Sequence, residues 1–71
     1  MTGIEIIEKE EAHTKWGEGF AVRGIVYSQK GVTTAEFFAF YTPSKQIRQL
    51  RIDDHQLLPI LLDNLRTLLN H

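Results

Sequence analysis

Apolar and polar residues alternate along Ile4-Glu5-Ile6-Ile7-Glu8, and the alternation lapses over the mostly polar stretch from Lys9 to Gly19 that contains Trp16. Successive side chains of a strand point to opposite faces, so the first run predicts a short edge strand and the second a connection. Two longer runs, Phe20 to Gln29 and Val32 to Tyr41, are rich in β-branched and aromatic residues and flank Lys30-Gly31, a spacing that predicts a tight two-residue hairpin turn. Thr42-Pro43-Ser44-Lys45 follows as a second turn, because proline cannot donate to a ladder and serine bonds locally, and Gln46 to Ile52 is then the last strand. Beyond it the period lengthens to that of a helix. Asp53 is placed to cap it, Gln56 three positions on completes a capping box, and Asp54 suits the positive end of the helix dipole. Pro59, six positions past that cap, predicts either a kink or a start delayed to Pro59 itself. The whole is one α+β domain over residues 1–71, a four-stranded antiparallel sheet followed by one C-terminal amphipathic helix, with strands at roughly 3–8, 20–29, 32–41 and 46–52 and the helix at roughly 54–69.

Placing the turn at Lys30-Gly31 sets Gln29 opposite Val32, and counting back sets Tyr27 opposite Thr34, Arg23 opposite Phe38 and Phe20 opposite Tyr41. One face then carries Phe20, Val22, Gly24, Val26, Ala35, Phe37, Ala39 and Tyr41, an apolar set suited to the helix. The other carries Arg23, Ile25, Tyr27 and Gln29 with Thr34, Glu36, Phe38 and Phe40, joined by Gln49 and Arg51 if Leu50 and Ile52 point to the core. On the helix, the apolar positions Leu57, Leu58, Ile60, Leu61, Leu62, Leu65, Leu68 and Leu69 sweep roughly 200° of the circumference, whereas one sheet covers a stripe a little over about 100° wide. Leu58, Leu62 and Leu69 lie at one margin of that arc, and together with Leu65 they are the expected contact with the helix of a second copy. The alternative is a helix seated deeply between the sheet and the N-terminal segment.

Composition narrows the function classes. With 71 residues, 42% of them hydrophobic and 24% charged, the chain is globular and small, and a core of this size gains reinforcement from self-association when disulfides and thiolate metal sites are excluded by the absence of cysteine. The start Met1-Thr2-Gly3-Ile4-Glu5 shows no basic region followed by an apolar run, and no stretch approaches the roughly 20 apolar residues that cross a bilayer, so a cytoplasmic protein without a membrane partner is expected. His13, His55 and His71 are scattered, and Asp53-Asp54-His55 point different ways round a helix start. Gly17-Glu18-Gly19 is only a fragment of a dinucleotide fingerprint, and no phosphate loop or nucleophile elbow is present. The expectation is no catalytic residue, no metal and no cofactor.

The formal net charge of -1 is unevenly placed. Residues 1–20 hold Glu5, Glu8, Glu10, Glu11 and Glu18 against Lys9 and Lys15, a net of -3. Residues 21–52 hold Arg23, Lys30, Lys45, Arg48 and Arg51 against Glu36, a net of +4, and residues 53–71 hold Asp53, Asp54 and Asp63 against Arg66, a net of -2. Rings beside cations and amides on an open sheet suit unpaired nucleic acid, because bases stack on rings while phosphates pair with arginine and lysine. Arg23, Tyr27, Lys30, Phe38, Phe40, Lys45, Arg48, Gln49 and Arg51 are the candidate contacts. Burial of Phe38 and Phe40 against a partner or the N-terminal segment is the competing use of that face.

The strand-turn-strand ending in Phe37-Phe38-Ala39-Phe40-Tyr41-Thr42-Pro43, followed by Leu50-Arg51-Ile52-Asp53-Asp54-His55-Gln56-Leu57, resembles the transcriptional coactivator family called positive cofactor four. That family's final apolar-x-apolar strand leads through a capping residue, and a Glu or Gln three later, into a dimerising amphipathic helix. The resemblance covers about residues 20–69 and is one of pattern, departing at Gln46-Ile47-Arg48-Gln49, where members usually carry a lysine and a glycine. It implies a homodimer that binds single-stranded DNA as a transcription or replication accessory factor, with Arg48 and Arg51 on phosphates and Phe38 and Phe40 near the stacking strand. The alternative function is a small interaction or regulatory module that binds a protein through its sheet face and helix. The placement of acids separates the two: Glu5, Glu8 and Glu36 around the aromatic face favour a protein, whereas Arg23, Lys45, Arg48 and Arg51 converging there favour nucleic acid.

Overall fold

The computed structural model describes residues 2–28 and 33–70. They form four strands, β1 (Gly3–Thr14), β2 (Gly17–Tyr27), β3 (Thr34–Tyr41) and β4 (Ile47–Ile52), then a 3-10 turn over His55–Leu57 and one helix, α1 (Leu58–Leu69). Each strand pairs antiparallel with the next, giving an open meander in the order β1-β2-β3-β4. The α+β class and the strand order are those the pattern predicts. The register agrees as well: Tyr27 faces Thr34, Arg23 faces Phe38 and Phe20 faces Tyr41. The Lys30-Gly31 turn, with Gln29 and Val32, lies outside the described residues; Ser28 N–H donates to the Thr33 carbonyl at 3.0 Å and carries the ladder toward it.

Alternation on β2 and β3 puts Val22, Val26, Ala35, Phe37, Ala39 and Tyr41 under the helix, where they meet Leu57, Leu61, Leu65 and Leu69 in one core. Leu61 and Leu65 have 0% exposure, and full burial of such a side chain contributes about 1.5–3 kcal/mol. Leu65 and Leu69 are therefore committed to the core of their own chain, which corrects their assignment to a surface for a second copy. Leu58 is half-buried and packs at the core's margin, while Leu62 is half-buried and stands outside it. Much of the apolar arc is absorbed within the chain, since Leu57, Leu61, Leu65 and Leu69 are buried and Leu58, Ile60 and the Ile4 and Ile6 side chains of β1 pack against the same core.

Two further expectations are corrected. The polar stretch after Glu8 is not a loop: β1 continues to Thr14, turns at Lys15-Trp16 and returns as β2 from Gly17. Thr14 Oγ1 accepts from the Trp16 N–H at 3.1 Å and donates to the Gly17 carbonyl at 3.3 Å, and Gly17 takes φ 96°, a left-handed value that side chains resist. The stretch is polar on both sides because this arm runs past the end of the helix, so neither face is covered. At the other end Asp54, not Asp53, is the cap. Its Oδ1 accepts from the Gln56 N–H at 2.9 Å to start the 3-10 turn, while the Asp53 N–H is held by the Glu36 carbonyl at 3.2 Å and so still belongs to the sheet. The α-helix proper begins at Leu58 with Pro59 in its first turn, where the missing donor costs nothing, so the delayed start replaces the kink. Among the described residues no helix is long and apolar enough to cross a membrane.

Asp54→Ala is expected to destabilise the protein by about 1 kcal/mol, the usual cost of a lost cap, and Asp53→Ala by clearly less because its one bond is made by the backbone. Urea denaturation of the two variants against the parent measures the difference.

Candidate interaction face

The face of the sheet turned away from α1 is built in rows, because residues directly opposite in an antiparallel ladder share a face with their Cβ atoms about 4.5–5.5 Å apart. Register places Glu8, Arg23, Phe38 and Arg51 in one row across all four strands. Glu5, Ile25 and Glu36 form the next row toward one end, and Tyr27 with Thr34 the row beyond it, where the Tyr27 ring lies over Gly3 and fills the space a side chain would take. Toward the other end stand Glu10, Ala21, Phe40 and Gln49. Phe38, Ile25 and Tyr27 are half-buried, and Ile7, at the bulge between Ile6 and Glu8, is 51% exposed. The apolar centre therefore has four carboxylates around it, from Glu5, Glu8, Glu10 and Glu36.

Of the expected cations, Arg23 and Arg51 flank Phe38 on this face, and Arg23 Nη2 donates to Glu8 Oε1 at 2.7 Å. Both partners are about half exposed, so the pair is screened and contributes at most about 1 kcal/mol, but it occupies the guanidinium. Arg48 is the extra residue where the β3–β4 register slips between Phe40 and Tyr41, and its Nη2 donates to Gln46 Oε1 at 2.7 Å, back toward the turn. Lys45 stands on the helix side of the sheet, where it lines a groove with Tyr41 and Leu68. Lys30 lies outside the described residues. The four cations Arg23, Lys45, Arg48 and Arg51 thus do not converge.

Phe40 occupies the open face in register but not in exposure. It is 1% exposed, with the Trp16 ring stacked on it at a centroid distance of 6.0 Å. The turn at Lys15-Trp16 folds back over β3, and the close approach needs Gly19, since a Cβ there would fall 2.7 Å from Phe40 Cζ and collide with the Tyr41 carbonyl oxygen. Trp16 itself is 40% exposed, with the Lys15 ammonium 4.9 Å from its ring centroid, so it replaces Phe40 as the aromatic offered to solvent. Its position in a turn, flanked by Lys15 and Gly17, is the one sequence signal for this role. Beside Phe38 a cleft of about 510 Å³ has an apolar lining from Phe37, Phe38, Leu50, Ile52 and Leu58 and groups of both charges at Arg23, Glu36, Arg51 and Asp53, with His55 beside them. Among the described residues no three His, Asp or Glu side chains gather to hold a metal ion. The chain matches no family model, no curated protein and no solved structure.

Gly19→Ala is expected to destabilise by about 1–3 kcal/mol, the range for forced overpacking, and to unstack Trp16 from Phe40. A lower thermal midpoint together with a red-shifted tryptophan emission from the still folded protein checks both parts.

Proposed function

We propose that this protein is a small interaction module whose open sheet face receives a protein partner with an apolar centre and a basic rim. The observation that carries the reading is the row pattern: Glu5, Glu8, Glu10 and Glu36 surround Ile25 and Phe38, and Glu8 holds Arg23. A polyanion gains by pairing its phosphates with free cations and releasing counterions, and on this face it meets more carboxylate than guanidinium. A protein surface gains instead from half-buried Phe38, Ile25 and Tyr27, while lysines or arginines at its rim answer the carboxylates and raise the rate of encounter. The single-stranded nucleic-acid reading draws on Arg51, Phe38 and the exposed Trp16, and it is the competitor the first experiment addresses.

The module works as a single copy. A stable interface buries about 800 Å² on each partner, and with Leu65 and Leu69 in the core a homodimer through α1 would rest on half-buried Leu58 and Leu62. Leu62→Glu is accordingly expected to leave the sedimentation coefficient and the fold unchanged. A parent protein that sediments as a dimer, and a variant that does not, would restore the homodimer.

Fluorescence anisotropy with labelled single-stranded and duplex oligonucleotides at two salt concentrations is expected to show no saturable binding. Tight binding of the single strand at low salt that weakens steeply with added salt would return the function to nucleic acid. For a partner identified by affinity capture and then purified, Phe38→Ala is expected to weaken the complex by about 2 kcal/mol, roughly thirtyfold, as truncation of a central aromatic anchor does. Glu36→Lys is expected to slow association more than it speeds dissociation.

A further inference from the structure

On the helix side of the sheet, separate from the open face, a groove of about 430 Å³ runs under the C-terminal end of α1. Ile6, Phe20 and Tyr41 line it from the strands and Leu68 from the helix, and Lys9 and Lys45 stand at its edge. Leu68 marks where packing stops. At 100° per residue it lies within about 20° of Leu61 on the helix circumference. Leu61 is nevertheless fully buried and Leu68 is 46% exposed, so in the last turn, where Leu69 still packs into the core, the Leu68 margin of the sheet-facing side is left uncovered.

We propose that this groove binds a small amphiphilic anion, a carboxylate carrying an acyl or aryl tail, with the tail between Leu68 and the Phe20–Tyr41 ring pair and the carboxylate between Lys9 and Lys45. The volume falls in the range of about 300–1,000 Å³ typical of small-molecule sites, and the lining has their usual character, mostly apolar with a few convergent polar groups. The two rings pack at a centroid distance of 5.5 Å and make a rigid wall. Both lysines are positioned by the fold. The Lys9 ammonium sits 5.1 Å from the centroid of the Phe20 ring, a cation–π placement that holds it over the apolar wall. Lys45 adopts φ 70° in a turn fixed by its own N–H donating to the Thr42 carbonyl at 2.8 Å, by the Thr42 N–H donating to the Gln46 carbonyl at 2.9 Å, and by the Gln46 N–H donating to Thr42 Oγ1 at 3.1 Å. A lysine in the left-handed region is uncommon. Among the described residues neither ammonium has a carboxylate within 4.0 Å. Glu11, which follows Lys9 on the same side of β1 and lies opposite Phe20, lines an adjoining hollow with His13 and Glu18 that meets the groove at Phe20 and Pro43. Two cations over an apolar trough select a ligand that is anionic at one end and apolar along the rest.

The test titrates decanoate, kept below its micelle concentration, into the isotope-labelled full chain, followed by amide chemical shifts and calorimetry. Expected is saturable binding at one site with shifts confined to the neighbourhoods of Lys9, Phe20, Tyr41, Lys45 and Leu68. Decanol and decylammonium should bind on the order of tenfold more weakly or worse, the difference one desolvated charge contact makes. Lys9→Gln with Lys45→Gln, both at exposed positions and therefore compatible with the fold, should remove that preference while leaving weak binding of the alcohol. Equal affinity for the three amphiphiles, shifts centred on Ile25 and Phe38, no saturation, or association only with vesicles of anionic phospholipid would each overturn the proposal.

Discussion

Among the described residues one helix of 12 residues, with Leu57 just before it, supplies the second layer of this fold, and the rest of the molecule depends on how far that helix reaches. Burial of Leu61 and Leu65 against Val22, Val26 and Ala39 is the main apolar gain available, and it can be made on one face of the sheet only. Where α1 lies, alternation along β2 and β3 is clean. Past its ends the helix side of the sheet is uncovered: the β1–β2 arm runs out as a polar hairpin, and the trough below Leu68 stays open. The far face is left to solvent, and its charge makes that tolerable.

Charge along the chain and charge on a surface differ here because antiparallel pairing lays the acidic N-terminal segment beside the basic middle. Among the described residues, the cations behind the net of +4 over residues 21–52 do not gather into one positive patch. Glu8 of β1 pairs with Arg23 of β2, Glu5 and Glu10 flank the same row, Arg48 turns along its own strand, and Lys45 stands on the opposite side of the sheet. A hairpin between an acidic and a basic strand cancels at short range what segment arithmetic separates, so the surface charge is set by topology more than by composition.

The strand order, the register of β2 on β3 and the identity of the buried face were legible because they follow from period-two alternation around a two-residue gap. The extent of β1 was not. With neither side of the arm covered, residues from Lys9 to Glu18 carry no hydrophobic period, and a paired strand reads like a loop. The cap moved by one residue because Asp53 is held by the Glu36 carbonyl, a tertiary bond that no local motif announces. Phe40 was placed on the right face but with the wrong exposure, since the ring that covers it comes from Trp16, in the turn before β2, across the β2–β3 pairing. Leu69 appeared surplus on a helical projection, and Leu65 was joined to it as a contact for a second copy, because a projection does not show that the strands, the β1 isoleucines included, pack against one core that takes in both leucines.

Both edges of the sheet carry an irregularity, at Ile7 on β1 and at Arg48 on β4. A bulge breaks the even spacing of outward N–H and C=O groups and increases the local twist, so neither edge presents a continuous template to another strand. The charges of Glu5, Glu8, Lys9 and Glu10 along β1 discourage the same approach. For a chain this small, with half of its sheet bare, the consequence is colloidal: crowded copies are denied the edge-to-edge stacking by which open sheets grow into fibres, and contact with other molecules is channelled onto faces, where side chains rather than backbone decide what binds.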